Sequence, residues 1–317
     1  MDALLAPIAP APSGDSFAES VSMGLAGTPK EIACKYFYDE AGSRLFDQIC
    51  DLPEYYQTRT EMALLQHHAA EMAALMGPEV EIVEFGAGSL RKIRLLLDTL
   101  ENPRAYTPMD ISGDYLTDMV RTLHADYPAL TLRPMVADFT LPMSISTLPG
   151  RPRRAGFFPG NTIGNFKPDA AMALLRRMRG ILNGGGLLVG VDLMKDPRRL
   201  HAAYNDAAGI TAAFNKNLLM RANRELGANF NPEAFAHYAP YNAAAQRIEM
   251  YLVSLRRQRV AVGDQCFEFA QGEPVHTEDS HKYTIEGFRE MAARAGFSPR
   301  AVWTDPEHLF SVHWLES

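Results

Sequence analysis

Two glycines stand in the segment Val83-Glu84-Phe85-Gly86-Ala87-Gly88-Ser89-Leu90-Arg91-Lys92, directly after an apolar run. Glycine lets a backbone turn tightly and lets a ligand come close to it. The free N–H groups of such a turn lie near a helix N-terminus, which suits a nucleoside-bearing cofactor. Two residues narrow the choice. Arg91 occupies the third glycine position of the dinucleotide fingerprint G-x-G-x-x-G. Glu84 stands two residues before Gly86, where a carboxylate would repel a pyrophosphate and attract a sulfonium or ammonium. An acid before G-x-G is common in S-adenosylmethionine (SAM) sites, although an ordinary strand-to-helix turn could carry the same residues.

Three further segments carry chemistry. Asp110, in Met109-Asp110-Ile111-Ser112, stands where an acid that binds a ribose is expected; it could instead cap the next helix, as Ser112 could. Asp138-Phe139 pairs an acceptor for an adenine amino group with an aromatic face, and Phe139 could equally pack in the core. In Phe158-Pro159-Gly160-Asn161-Thr162-Ile163-Gly164-Asn165-Phe166 the glycines and asparagines can offer carbonyls and amides to a small polar substrate, or simply make a tight connection.

These segments need a frame that gathers them. Apolar runs at 80–85, 105–109, 132–137, 155–158 and 187–192 read as strands. Helical patterns at 92–100, 115–123 and 168–182 alternate with them, the last opened by Pro168. The alternation predicts an α/β fold with a doubly wound parallel sheet, whose strand tips would carry the four segments. Thr58-x-x-Glu61 reads as a capping box opening a helix that stops at Gly77-Pro78.

Residues 196–246 read as mostly helical, and 247–260 return as an extended run. A helix over 284–296 and a strand pair, 297–303 with 309–314, close the chain. The expectation is a Rossmann-like seven-stranded SAM-methyltransferase sheet with a second, smaller substrate-binding subdomain. Residues 77–195 and 247–317 would form the core, with the strand at 247–260 and the segment 277–283 contributing to the substrate site. Residues 17–76 and the insertion 196–246 would form the second subdomain. Residues 1–16, broken by Pro7, Pro10 and Pro12, would be a mobile leader.

Composition removes other classes. The 317 residues carry a formal charge of -7 and no basic stripe, which argues against nucleic acid as a partner. No apolar run is long enough to span a bilayer, so no membrane partner is expected. Cys34, Cys50 and Cys266 are widely spaced and odd in number, as reduced thiols of a cytoplasmic protein would be. No H-E-x-x-H occurs, and His67 and His68 point about 100° apart on a helix, so no metal is expected. The chain is expected to act as a monomer.

Several motifs occur together in one order: Lys35-Tyr36-Phe37-Tyr38-Asp39, Phe46-Asp47, and Leu52-Pro53-Glu54-Tyr55-Tyr56-Gln57-Thr58-Arg59 precede the glycine turn. Gly160-x-Thr162-Ile163-Gly164-Asn165 and Tyr204-Asn205-Asp206-Ala207-Ala208-Gly209-Ile210-Thr211 follow it. Arg247-Ile248-Glu249-Met250 and Thr277-Glu278-Asp279-Ser280-His281-Lys282-Tyr283 complete the set. From about residue 20 to its end the chain resembles the L-histidine Nα-methyltransferases of ergothioneine biosynthesis, which use SAM to convert histidine into its trimethyl betaine, hercynine. The resemblance implies SAM contacts at Tyr38, Gly86, Lys92, Asp110, Asp138 and Phe139. It implies histidine contacts at Tyr55, Asn165, Tyr204, Glu278 and Ser280, with Asn165 and Tyr204 at the carboxylate and Glu278 and Ser280 at the imidazole. The i, i+2 spacing of Glu278 and Ser280 puts both on one face of an extended segment. Met250 matches a position bordering the substrate ring.

Tyr38 is the implied candidate for positioning the amine or relaying its proton. Asn161 departs from the family, which often has serine there, and could tune the amine environment. Within these 317 residues the resemblance covers no sulfoxide-synthase domain, so the methylation step alone is expected of them. Another enzyme of the same class, acting on a different amino acid, would be expected to lose the Glu278/Ser280 pair; a silent SAM-binding protein would not need it.

Overall fold

The computed structural model describes residues 16–182 and 184–317. The expected leader lies outside the described residues except for Ser16, which caps the helix Phe17–Ala26 in a reciprocal box with Glu19. The described chain divides into two units. One comprises Gln57–Met194 and Lys282–Ser317; the other runs up to Tyr56 and takes in Lys195–His281.

The first unit is built on a sheet in the order Ser298–Thr304, Phe310–Glu316, Gly186–Asp192, Arg154–Phe158, Glu81–Phe85, Ala105–Asp110, with Thr131–Leu132 and Met135–Val136 both pairing with Ala105–Asp110. The expected edge strand at 132–137 is therefore two short pieces interrupted at Arg133-Pro134, where proline supplies no ladder donor. Strands are parallel except for Phe310–Glu316, which runs antiparallel to Gly186–Asp192 and carries Ser298–Thr304. Glu81–Phe85 and Gly186–Asp192 are buried along their whole length, as strands covered on both faces must be. One face packs Leu64, Leu65, Met72 and Met76 of Tyr56–Met76 with Ile93 and Leu96 of Leu90–Leu97. The other packs Leu174, Leu175 and Met178 of Pro168–Leu182 with Phe288 and Met291 of Ile285–Arg294. The sequential order reverses between Glu81–Phe85 and Arg154–Phe158, so the switch point lies between these two strands.

The second unit has a sheet of its own. Lys30–Glu31 lies parallel to Pro274–His281, which pairs antiparallel with Arg247–Ser254; Phe235–Tyr238 and Tyr241–Asn242 pair with the latter. Gln258–Val262 and Gln265–Phe269 form a hairpin. Helices Phe17–Ala26, Glu40–Cys50, Pro197–Tyr204 and Ile210–Leu226 lie in the same unit.

Three expected assignments change. Residues 57–76 belong with the large sheet, because their apolar stripe shares a core with Ile82 and Phe157. Residues 247–281 belong with the second unit, and 235–242, expected to be helical, hold two of its strands. The alternation along 247–254 specifies a strand but not its partner, and that partner is Pro274–His281.

Candidate active site

The glycine turn closes on the neighbouring strand. The Gly86 and Ala87 amides donate to the Met109 carbonyl at 2.9 and 2.8 Å, and the Gly88 amide donates to Gly86 at 3.0 Å. The Gly86, Ala87 and Gly88 N–H groups are thus spent inside the turn rather than left free. What the turn offers is bare backbone: Gly86 has φ +77°, and a Cβ at Gly88 would meet no atom within 4 Å. Beside Gly86 lies the Phe139 ring, 3.4 Å from where a Cβ would stand. That ring packs edge-on against Phe158 at 5.6 Å and Phe85 at 6.5 Å, so its core role and its place at the turn coexist.

The acids at the next two tips are held in turns of their own. Asp110 Oδ1 accepts from the Ser112 amide at 2.8 Å, while Ser112, the N-cap of Gly113–Asp126, makes no side-chain cap bond. Asp138 Oδ1 accepts from the Thr140 amide and hydroxyl. The Ala137 amide donates to the Asp110 carbonyl, which fastens the second tip to the third. Burial pushes the Asp110 carboxyl up to about 6, against the Ser112 and Ile111 amides that favour its charge.

Glu84 differs from its expected state. Its side chain is buried and accepts from the Tyr106 hydroxyl at 2.5 Å. Burial pushes its carboxyl up to about 8, outweighing Tyr106 and Lys92, with Glu61 and Asp110 adding to the rise. At neutral pH Glu84 is therefore mostly protonated, and the charge argument against a pyrophosphate loses weight.

Glu61 does not act as the capping residue that its spacing from Thr58 predicts. The helix starts at Tyr56, so no capping box forms at Thr58. The Glu61 side chain is 1% exposed; it pairs with Lys92 Nζ at 2.5 Å and accepts from the Gly160 amide at 3.0 Å. Lys92 lies in the first turn of the helix after Glu81–Phe85 and Gly160 follows Arg154–Phe158, so this carboxylate clamps the two sides of the switch point. A Cβ at Gly190 would stand 2.1 Å from the Glu61 carboxylate, so the glycine leaves room for the ion-paired Glu61. Nothing in the spacing around Glu61 signalled this.

Asn161 has φ +57°, a left-handed conformation that asparagine tolerates better than most residues. Its Oδ1 accepts from the Asp192 amide at 2.9 Å, tying the fourth tip to the fifth. The Asp192 carboxylate in turn pairs with Lys282 at 2.7 Å, both side chains fully buried. Asn161 thus has a backbone role that accounts for its presence. Asn165 ends the short turn Thr162–Asn165 in the same unit.

The second unit gathers Tyr38, Tyr55, Tyr204, Glu278 and Ser280. The Tyr204 and Ser280 hydroxyls lie 2.7 Å apart. Glu278 stands two residues earlier on the same strand, and Met250 and Ile248 pair in register with Glu278 and Ser280, so these four share a face. A bulge between Met250 and Tyr251 falls at Thr277 and leaves the Glu278–Ser280 spacing regular. Edge-on ring contacts run from Tyr38 through Phe46 and Tyr55 to Tyr204, at 5.6, 6.3 and 6.2 Å. Burial holds the Tyr55 phenol well above its ordinary value, with Tyr204, Cys50, Tyr38 and Glu278 adding to it, so it stays a neutral donor. Burial, and then Glu278, push the Cys34 thiol up to about 12, which identifies Cys34 as a neighbour of Glu278 that spacing did not reveal.

The motif around Tyr204 folds by local polar contacts. Asn205 bonds the Ala239 backbone through both its oxygen and its nitrogen. Asp206 accepts from the Ile210 and Thr211 amides at 2.8 Å, capping Ile210–Leu226, while Gly209 takes φ +74°.

Among the described residues no helix is long and apolar enough to cross a membrane, and no group of three or more His, Cys, Asp or Glu could hold a metal ion. A family model described as histidine-specific methyltransferase, SAM-dependent, matches residues 17–317. A histidine N-alpha-methyltransferase of Mycolicibacterium smegmatis is 40% identical, covering 95% of this chain and 96% of that protein. One from Mycobacterium tuberculosis is also 40% identical, covering 92% of each. Ergothioneine biosynthesis protein 1 of Neurospora crassa is 28% identical over 87% of this chain, which spans 32% of that longer protein. With a glycine turn, two acids and an aromatic ring at the strand tips, and a match over nearly the whole length, the chain belongs to the SAM-dependent, histidine-specific methyltransferases.

Proposed function

We propose that the protein transfers three methyl groups in succession from SAM to the α-nitrogen of L-histidine, giving hercynine in the first step of ergothioneine biosynthesis. The observation that carries this reading is the shared face of Glu278 and Ser280, with the Tyr204 hydroxyl 2.7 Å from Ser280. A carboxylate accepting from an imidazole N–H, beside a hydroxyl, favours histidine over side chains that would leave those buried groups unpaired. Tyr204 and Asn165 are assigned to the substrate carboxylate, and Tyr55 borders the same face as a neutral hydroxyl.

The strand tips fit the cofactor. Backbone open at Gly88, the Phe139 ring beside Gly86 and the carboxylates of Asp110 and Asp138 match the faces and donors of an adenosine. Lys92 is assigned to the cofactor's carboxylate, and Tyr38 to the cofactor as well as to the amine. When bound, SAM supplies a methyl group on a sulfonium. The chain's part is alignment, which can account for most of the acceleration of a displacement of this type. The amine must attack as the neutral base, so a proton leaves the nitrogen before each of the three transfers. Tyr38 is assigned to position that amine or pass its proton to solvent. Rings at Tyr38 and Tyr55 are suited to the cationic trimethylammonium that results.

The substrate assignment is tested at Glu278. Glu278→Ala should raise the KM for histidine by roughly 30-fold or more, about 2 kcal/mol for a lost charged hydrogen bond, with SAM affinity nearly unchanged by calorimetry. Collapse of SAM affinity would place Glu278 elsewhere.

A further inference from the structure

The Tyr204 hydroxyl can meet a substrate only if its backbone is held in place. Tyr204 is the last residue of Pro197–Tyr204, and its carbonyl is among those that a helix end leaves without an intrahelical partner. His237 Nε2 lies 2.8 Å from that carbonyl. His237 sits on Phe235–Tyr238, paired in register with Leu252 of the strand that also carries Met250.

The other ring nitrogen is fixed as well. Asn215 Nδ2 lies 2.9 Å from His237 Nδ1 and 3.0 Å from the Tyr251 carbonyl. One amide nitrogen has two hydrogens, and both are spent on these acceptors. Nδ1 is therefore the acceptor and Nε2 the donor, the tautomer that the Tyr204 carbonyl requires. Burial lowers the basicity of the ring, with Lys216 acting the same way; Tyr204 and Asp206 act against it, and the ring stays neutral. Asn215 itself is fully buried on Ile210–Leu226. A strand, a helix and a helix end thus meet at one imidazole, which was not among the residues that spacing singled out.

We propose that His237 is a positioning residue for the substrate: it holds the Tyr204 carbonyl, and so aims the Tyr204 hydroxyl at Ser280 and at the bound amino acid. This rests on the assignment of Tyr204 to histidine binding. Two variants separate the ring's two nitrogens. The amide of His237→Gln reaches the Nε2 position and can still donate to Tyr204; that of His237→Asn stops at the Nδ1 position and cannot.

The experiment measures KM and kcat for histidine, and S-adenosylhomocysteine affinity, in H237Q, H237N, Y204F and the double variant H237N/Y204F. H237N should raise KM roughly tenfold, as one lost hydrogen-bonding partner would, with kcat and S-adenosylhomocysteine affinity within about twofold. H237Q should restore most of the KM. The double variant should be no worse than Y204F, because His237 acts through Tyr204. A raised KM in Y204F with an unchanged KM in H237N would overturn this proposal alone. Independent, multiplying effects in the double variant would also overturn it, as would equal losses in H237Q and H237N. An unchanged KM in Y204F would remove the Tyr204 assignment, and this proposal with it.

Discussion

A carboxylate at a strand tip meets a cation as an anion only where water or a partner stabilises its charge. Glu84 has neither in sufficient measure: it is 2% exposed, and burial pushes its carboxyl up to about 8 despite the Tyr106 hydroxyl and Lys92. Its position before Gly86 was legible in the sequence. Its protonation was not, because that depends on Tyr106 from the adjacent strand and on the helices covering that face. The consequence is a pH dependence of known sign. An acid whose folded value is raised stabilises the fold fully below its unfolded value, near 4.5, and loses that contribution as pH rises through about 8. Stability should therefore fall between roughly pH 5 and 8, by up to about 1.4 kcal/mol per pH unit from this group. Glu84→Gln should flatten that fall, measured as denaturant midpoints across the range. Equal slopes in both proteins would mean that Glu84 is ionised in the fold.

Elements differ in how far their own residues specify them. The helices Pro168–Leu182 and Ile210–Leu226 and the strands of the parallel sheet declare themselves through local periodicity. Thr58-x-x-Glu61 declared a capping box that does not exist, because Lys92 and the Gly160 amide recruit the same glutamate across the sheet. Gly190 shows the same clamp from the other side. A glycine inside a buried strand ordinarily weakens it, and here it makes room for the Glu61 carboxylate. Gly190→Ala should cost about 3 kcal/mol or more, through overpacking and displacement of a buried ion pair, seen as a lowered denaturant midpoint. Adding Glu61→Ala should recover part of that loss. A Gly190→Ala protein within about 0.5 kcal/mol of the parent would show that Glu61 is not fixed against the strand.

At the scale of the whole molecule, the chain passes between its two units after Tyr56, after Met194 and after His281. The residues proposed for the cofactor, Tyr38 apart, belong to the unit with the parallel sheet; those proposed for histidine, Asn165 apart, belong to the other. Motif order placed Tyr55 and Tyr204 in the second unit but left Glu278 and Ser280 with the parallel sheet, so neither the boundaries nor the whole division was legible. Arg247–Ser254 alternates as any half-buried strand does, and nothing in its own residues names Pro274–His281 as its partner. Only the three-dimensional pairing puts Met250 opposite Glu278 and Ile248 opposite Ser280 on one face of the second unit's sheet. The proposed activity requires that face to select one amino acid. Purified protein incubated with SAM and each of the twenty amino acids, with products resolved by mass, tests it most directly. Histidine alone should gain three methyl groups, all on the α-nitrogen; preferential methylation of another amino acid, or of the imidazole, would contradict it.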